Sequence, residues 1–438
     1  MKRFLFAILT VLVVLPLKGQ SGWSLEECIR FAVENNLDLK QSAYKVDIAD
    51  QTFKQEKWNM VPRIGASSDL YYYAGRYVDP STNTIETAPN YYNSYSLDAG
   101  VNIFNGFSRQ NRISYLKYKK EAAASSLLKS TDELAFTVMN SYFDVLYYKE
   151  LLKISQDQKR LSEVNLKKTE ILVNTGLKAT TDLLEVRANL EKDELTCLQT
   201  ENLLASAWIS LHKAMNLNAD STILLAMPVS AVSDSLSSAV DPATLYESYS
   251  LQAPVIKSFE EELKASKKNI SIMKAGFSPS LDAGASVSSY ITFGEESDVS
   301  RQIRKNEKQY AGLSLSIPIF GRRQNITNVK IAKLEYADAA AKLDQARQNL
   351  YFEVMTNIND LKAAETELSQ ARKQLDADTL AYQAAEKKYD QGMINVVDFY
   401  TVKNRMSSTY AQVLRSELTA EIKRRIIDFY RGNRFWEK

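Results

Sequence analysis

The residue types that most often carry enzyme chemistry are scarce in this sequence. His212 is the single histidine among 438 residues, and the only two cysteines are Cys28 and Cys197. A zinc site or a Ser-His-Asp triad needs imidazole or thiolate groups that this composition does not cluster. The carboxylates of Glu295 and Glu296 are adjacent, but they lie in a polar stretch typical of a solvated loop. The sequence therefore nominates no catalytic residue, no cofactor and no metal ligand, and it predicts a protein that is not an enzyme.

The N-terminus indicates export. Residues 1–20, MKRFLFAILTVLVVLPLKGQ, combine a basic start, a short apolar stretch and a small or polar end, which is typical of a signal peptide. A membrane anchor is the alternative, but the apolar stretch is shorter than the roughly 20 residues that a spanning helix needs. In an oxidising compartment Cys28 and Cys197 could pair. Their spacing follows no disulfide framework, which favours two buried free thiols.

The formal net charge is +2, and three of the basic residues lie in the predicted signal peptide. Such a balanced chain gives no indication of a nucleic-acid partner.

An internal duplication organises the rest of the chain. Gly176 and Gly392 are separated by 216 positions, and so are Asp182 and Asp398. The stretches VNIF and IPIF keep the same spacing, so the chain contains two copies of one unit. The predicted divisions are a first repeat at 21–220, a linker at 221–241, a second repeat at 242–432 and a tail at 433–438.

Each copy begins with a predicted helix. In the first copy, Ser24 and Glu27 form a capping-box pattern at the start of a helix that continues to about Met60. The counterpart in the second copy runs from about Pro242 to Lys274.

A predicted strand hairpin follows in each copy, at about 63–104 and 280–319. Apolar residues alternate with small or polar ones in SLDAGVNIF and AGLSLSIPI, which indicates strands with one apolar face and one polar face. This alternation fits a membrane barrel with a wet lumen or a soluble sandwich. The export signal and the tyrosines at 71–73 and 91–92 favour the membrane barrel, since aromatic girdles mark membrane interfaces. Four strands cannot close a barrel, for which about eight is the practical minimum, so several chains must share one.

Two long helices are the most unusual prediction. Residues 107–175 and 322–391 contain neither glycine nor proline, and each stretch could form a helix of roughly 100 Å. Gly176 and Gly392 are expected to end these helices in the left-handed conformation and to reverse the chain into returning helices. Thr180, Thr181, Asp182, Asn395 and Asp398 are candidates to cap or flank the returning helices.

This duplicated arrangement resembles the TolC family of outer-membrane efflux proteins. The residues that carry the resemblance are VNIFNG, IPIFG, NTGLKATTDLLEVRANL and EKKYDQGMINVVDFYTVKN. The resemblance implies an α+β membrane protein with long antiparallel helices, in which three chains share a twelve-stranded β-barrel in the bacterial outer membrane. It further implies a periplasmic helical tunnel that docks on an adaptor protein and an inner-membrane pump and serves as a passive exit duct.

The resemblance also assigns roles near the two glycines. Asp398 matches a carboxylate at the tunnel entrance, although a helix N-terminal acid favoured by the helix dipole is the simpler alternative. Tyr389 and Asp182 match a contact that holds the entrance shut, so replacing both is expected to raise single-channel conductance. The hairpin tips that would dock on the adaptor are Gly176, Leu177, Lys178, Gly392, Met393 and Ile394.

Two positions depart from the family pattern. Ile394 stands where a basic residue is typical, and Thr401 stands where a second entrance acid is typical. Both differences predict a gate with fewer ionic links.

A structural protein that binds partners through its helices, without transport, is the alternative function. A structural protein of that kind would not need two strand hairpins that recur at the same spacing in both repeats. The sequence does not indicate whether the cargo is a drug, a metal, a peptide, a protein or a lipid.

Overall fold

The computed structural model describes residues 22–78, 83–87, 89–218, 221, 223–226, 241–293 and 298–436. The predicted signal peptide, most of the predicted linker, the last two residues of the predicted tail, Glu295 and Glu296 lie outside these ranges. The chain divides into two units. The first contains the described residues of Met1–Leu37, Thr131–Tyr246 and Glu353–Lys438, and the second contains those of Asp38–Ser130 and Glu247–Phe352.

Helices dominate the described residues. In chain order the elements are α1 (Leu25–Asn35), α2 (Leu37–Trp58), β1 (Arg63–Tyr73), β2 (Tyr77–Val78), β3 (Ile85–Glu86), β4 (Asn90–Phe104), α3 (Ser108–Asn174), α4 (Thr180–Met215), α5 (Pro242–Ser250), α6 (Pro254–Ala275), β5 (Ser280–Thr292), α7 (Val299–Lys305), β6 (Lys308–Ser316), α8 (Gln324–Asp390) and α9 (Val396–Tyr430). None of these helices is both long and apolar enough to span a membrane.

The first predicted helix is in fact two helices. The capping box is present: the Ser24 amide donates to Glu27 Oε2 at 2.8 Å, and the Glu27 amide donates to Ser24 Oγ at 3.2 Å. Helix α1 nevertheless ends at Asn35, and the next residue, Asn36, has an extended backbone. The buried Asn36 side chain donates to the carbonyl of Ala214 at 3.0 Å, a tertiary hydrogen bond that the local sequence does not reveal.

The counterpart helix of the second copy is also interrupted. Helix α5 ends at Ser250, and Pro254 is the first residue of α6. Proline disfavours the helical conformation in the residue before it, here Ala253, and is well tolerated at a helix start. The prediction of one helix from Pro242 to Lys274 was therefore wrong at this point.

The four long strands form one antiparallel sheet in the order β1-β4-β5-β6. The two predicted hairpins meet where β4 pairs with β5, with Gly100 opposite Gly284. Strand β6 ends at Ser316, before the predicted end at Ile319. The loops contain two elements that the sequence did not predict, the β2–β3 ribbon and helix α7. Helix α7 is tied to β5, since Gln302 Oε1 accepts from the Thr292 amide at 2.8 Å.

The two longest helices match their predictions closely. Helices α3 and α8 each contain 67 residues, and each ends just before the glycine that was expected to terminate it. In the first unit, α3 contributes to a core around Tyr142 and Phe143, both about 1% exposed. The Tyr142 hydroxyl lies within hydrogen-bond distance of the carbonyls of Trp23 and Ala226, which holds these two segments next to α3.

Candidate functional site: the hairpin tips

Both long helices end in the same glycine-dependent turn. Gly176 has a φ of 72° and Gly392 a φ of 73°, as predicted. The Gly176 amide donates to the carbonyl of Val173 and the Leu177 amide to that of Leu172; the second turn repeats this paired pattern of C-terminal capping. Open space surrounds both glycines, so the positive φ alone favours glycine there.

The two returning helices start differently. Asn395 caps α9, because its Oδ1 accepts from the Asp398 amide at 2.8 Å. The equivalent position before α4 is Ala179, whose methyl group cannot accept a hydrogen bond. Thr180, Thr181 and Asp182 lie in the first turn of α4, and none of their side chains caps the helix. Only the second-copy cap was predicted correctly.

An aromatic cluster connects the two hairpins beside these turns. Tyr389, at the end of α8, is 6% exposed, and its ring stacks on Phe399 of α9 with centroids 4.6 Å apart. Val186 of α4 belongs to the same buried cluster. Ile394 packs against this cluster, whereas Leu177 and Met393 are 73% and 68% exposed. The tips thus combine a buried apolar contact with exposed apolar ends.

Two lysines of the first hairpin contact the end of α8. Lys178 Nζ lies 4.3 Å from the centroid of the Tyr389 ring, a cation–π geometry. Lys168 Nζ lies 2.7 Å from Asp390 Oδ1, with both side chains about half exposed. The Asp182 and Tyr389 side chains share no hydrogen bond within the described part of the chain. Lys178 and Lys168 therefore contact the end of α8 at and beside Tyr389, the residue that the family resemblance pairs with Asp182.

A buried charge lies further along the same helices. Lys403 of α9 is 1% exposed, and its Nζ donates to the Gln158 carbonyl at 3.2 Å and to Ser162 Oγ and Asp193 Oδ2 at 3.0 Å each. Burial lowers the pKa of Lys403, and the neighbouring Asp193 carboxylate opposes that shift. This network joins α9 to α3 and α4.

Sequence reasoning missed Lys403, but a signal existed. Val396, Phe399, Tyr400 and Lys403 recur at the spacing of one helix face. A lysine at the fourth position of that apolar face predicts a buried cation that needs a carboxylate partner.

Asp398, the predicted entrance carboxylate, is exposed on the first turn of α9. That position fits both the entrance role and the alternative of a helix N-terminal acid.

The two cysteines and the histidine lie away from the hairpin turns in sequence. Cys28 and Cys197 are free and buried in the described structure. Burial raises the pKa of the Cys28 thiol from 9.0 to about 12. His212 packs on Trp208 with ring centroids 5.7 Å apart. Within the described ranges, no group of three or more His, Cys, Asp or Glu side chains is placed to hold a metal ion.

Comparison with known proteins explains the duplicated architecture. The family model described as "Outer membrane efflux protein" matches residues 28–217 and 245–427, one segment for each copy. The chain belongs to this family. It is an outer-membrane efflux protein of the TolC type, as the sequence resemblance indicated, and its family is one of channel proteins.

Individual relatives of this efflux protein are distant in sequence. The cation efflux system protein CusC of Escherichia coli is 24% identical over 90% of this chain and 84% of its own length. The antibiotic efflux pump outer membrane protein ArpC of Pseudomonas putida is 21% identical over 92% and 84%. The CmeC outer membrane channel of Campylobacter jejuni matches with a TM-score of 0.79 and 15% identity, over 92% of this chain and 84% of that one. The shared fold extends over nearly the whole chain.

Proposed function

We propose that three copies of this chain form the exit duct of a tripartite pump. The observation that carries the proposal is the four-stranded sheet, in which β1 and β6 are edge strands. Apolar side chains on these edges are largely exposed in the single chain: Ile64 and Leu313 are each 70% exposed. In lipid, unpaired edge groups are costly, so pairing β6 of one copy with β1 of the next, three times, closes a twelve-stranded barrel.

A cysteine pair tests this closure. One cysteine at Ser67 of β1 and one at Ser314 of β6 point to the same face of the sheet and lie on strands that β4 and β5 separate within one chain. In a cysteine-free background, mild oxidation in membranes is expected to give covalent dimers and trimers. A matched pair at Ser67 and Ser286 of β5 should give none, because β5 is not an edge strand. Monomers alone from both pairs would contradict the shared barrel.

We further propose that the hairpin tips dock on a periplasmic adaptor, which connects the duct to an inner-membrane pump. The exposed apolar side chains of Leu177 and Met393, beside Gly176 and Gly392, support this role. Lys178 is a poor reporter position, since it packs on Tyr389. A photo-crosslinking residue at Leu177 in living cells should therefore capture an adaptor.

Leu334 of α8 provides the control position, because it is 71% exposed and so matches Leu177 in exposure. Capture of the adaptor from Leu177 and not from Leu334 would support tip docking. Capture of only other copies of this chain from Leu177 would contradict the tripartite pump and favour a structural helical protein.

The duct is proposed to have no catalytic activity and to carry solutes that the pump selects. CusC is named for cations and ArpC for antibiotics, so relatives of similar identity differ in named cargo. One histidine and scattered methionines offer no metal-relay pattern. Efflux of a solute by cells should stop on deletion of either the pump or this chain, and turnover of that solute by the purified chain would contradict the proposal.

Asp398 is proposed to form a ring of three carboxylates at the periplasmic entrance. Such a ring attracts cations. Asp398→Asn is therefore expected to shift the reversal potential of the reconstituted channel towards zero in a salt gradient. Asp376→Asn, which removes an exposed carboxylate from α8, serves as control. An equal effect of both substitutions would leave Asp398 with the role of a helix N-terminal acid alone.

A further inference from the structure

The segment between β6 and α8 exposes an unusual combination of side chains. Strand β6 ends at Ser316, and α8 begins at Gln324. Between them, Ile319 is 95% exposed and Phe320 is 84% exposed, the two highest values among the described large apolar side chains. Arg322 and Arg323 follow, and both are exposed. Two apolar side chains are thus followed closely by two positive charges.

The backbone turn does not explain the two arginines. Arg322 and Arg323 have φ values of 48° and 64°, a conformation that costs energy for residues other than glycine. Gly106 and Phe107 hold the equivalent places in the first copy and make the same turn, with φ values of 65° and 61°. The first copy makes the turn without any charge. The turn itself therefore gives no reason for arginine at these two positions.

No side chain in the described part of the chain neutralises these arginines. The side chains of Arg322 and Arg323 form neither ion pairs nor hydrogen bonds there. Arginines beside the first-copy turn are engaged instead: Arg112 Nε lies 3.3 Å from Glu56 Oε2, and Arg109 Nη1 donates to the Asn102 carbonyl at 3.2 Å. The donors of Arg322 and Arg323 remain available to a ligand.

We propose that the segment Ile319–Arg323 binds the phosphate group of an anionic phospholipid in the periplasmic leaflet of the outer membrane. This inference rests on the proposed function, in which the ends of β4 and β6 that lead into the long helices face the periplasm. Guanidinium groups form paired hydrogen bonds with phosphate oxygens, and Ile319 and Phe320 contact acyl chains. Two cations without an ion-pair partner among the described residues favour an anionic headgroup over a zwitterionic one.

Lipid retention by the full-length protein tests the assignment. The protein is reconstituted in nanodiscs with equal amounts of phosphatidylglycerol, phosphatidylethanolamine and lipid A, and retained lipids are measured by native mass spectrometry after transfer to detergent. Arg322→Gln combined with Arg323→Gln is expected to reduce the preference for phosphatidylglycerol by about tenfold. The control is Arg301→Gln with Arg304→Gln in α7, which removes the same charge at the other end of β5 and β6. The control should keep the wild-type preference.

Three results would overturn the inference. The first is an equal phosphatidylglycerol preference in both variants. The second is stronger retention of lipid A than of phosphatidylglycerol at these arginines. The third is a loss of oligomers in the Arg322/Arg323 variant with unchanged lipid retention, which would make the arginines a contact between copies. Failure of the wild-type protein to enter nanodiscs would contradict the proposed function itself, whereas insertion without lipid preference would contradict only this inference.

Discussion

Lys403 brings a positive charge into the interior of the helical unit, where one carboxylate compensates it. Asp193→Asn keeps the shape of the site but leaves the ammonium group without a counter-charge. Removing one partner of a buried ion pair typically lowers the free energy of unfolding by about 3–5 kcal/mol. We expect a loss of that size, measured by urea denaturation of the detergent-solubilised protein.

The neighbouring Glu194 provides a matched control for this prediction. Its carboxylate lies 3.1 Å from Lys159 Nζ, and both side chains are partly exposed. Glu194→Gln should leave stability nearly unchanged, because solvent screens such a pair. Equal effects of the two substitutions would show that Lys403 is not held by Asp193.

Cys28 allows a pH prediction for a single residue. Burial keeps the thiol protonated, so its pKa of about 12 in the folded protein exceeds the unfolded value of 9.0. The unfolded state therefore binds fewer protons between pH 9 and 12. Cys28 contributes stability that is fully present below pH 9 and is lost as pH rises through about 12.

The measurement is thiol labelling of a Cys197→Ser variant, which leaves Cys28 as the only thiol. At pH 8.5 a thiol-specific reagent should react with Cys28 slowly in the folded protein and rapidly in urea. Rapid labelling of the folded protein would contradict the buried thiol. In the unsubstituted protein, both cysteines should react in urea without a reductant; no reaction would reveal a disulfide instead.

At the scale of elements, the two helix-ending glycines should matter for their backbone conformation. Gly176→Ala and Gly392→Ala each place a Cβ atom in open space but force alanine into positive φ. The expected loss in unfolding free energy is about 1–2 kcal/mol for each substitution. Thermal denaturation of the purified variants measures it.

Gly321→Ala is the matched control for the two turns. Gly321 also has open surroundings, but its φ lies outside the left-handed region. This substitution should be close to neutral. If all three substitutions had the same effect, the positive φ would not be the reason for glycine at the tips.

The elements also show why part of the fold was predictable. Helices α3 and α8 were predicted to within a few residues because a long stretch without glycine or proline, followed by glycine, is a purely local pattern. The break at Asn36 depends on a hydrogen bond to Ala214, which is remote in sequence, and helix α7 lies in a stretch that reads as a polar loop. Local patterns predicted most of the elements, whereas the interruption at Asn36 involves a contact that is remote in sequence.

The same limit applies to the candidate site. The turn glycines and the Asn395 cap follow from residues close in sequence. The contacts of Lys178 with Tyr389 and of Lys168 with Asp390 join positions from different copies. Spacing alone could not identify them, since many lysines occupy similar helical positions.

At the scale of the whole molecule, contacts at the hairpin tips connect the two repeats of one chain, and these contacts can be removed separately. Tyr389→Phe with Asp182→Ala removes the pair that the family resemblance implies but leaves an aromatic ring stacked on Phe399. Lys168→Met with Lys178→Met removes the salt bridge to Asp390 and the cation–π contact to Tyr389, while retaining much of the apolar length of each side chain.

If tip contacts hold the proposed duct shut, single-channel conductance in planar bilayers should rise when they are lost. The structure predicts a larger rise for the lysine pair, because Lys168 and Lys178 contact α8 directly, whereas Asp182 makes no hydrogen bond to Tyr389 among the described residues. Lys159→Met with Lys192→Met removes two charges from α3 and α4 further from the turns and should leave conductance unchanged. A larger rise for the tyrosine–aspartate pair would mean that Asp182 acts across copies of the chain, and unchanged conductance in both would remove these tip contacts from the gate.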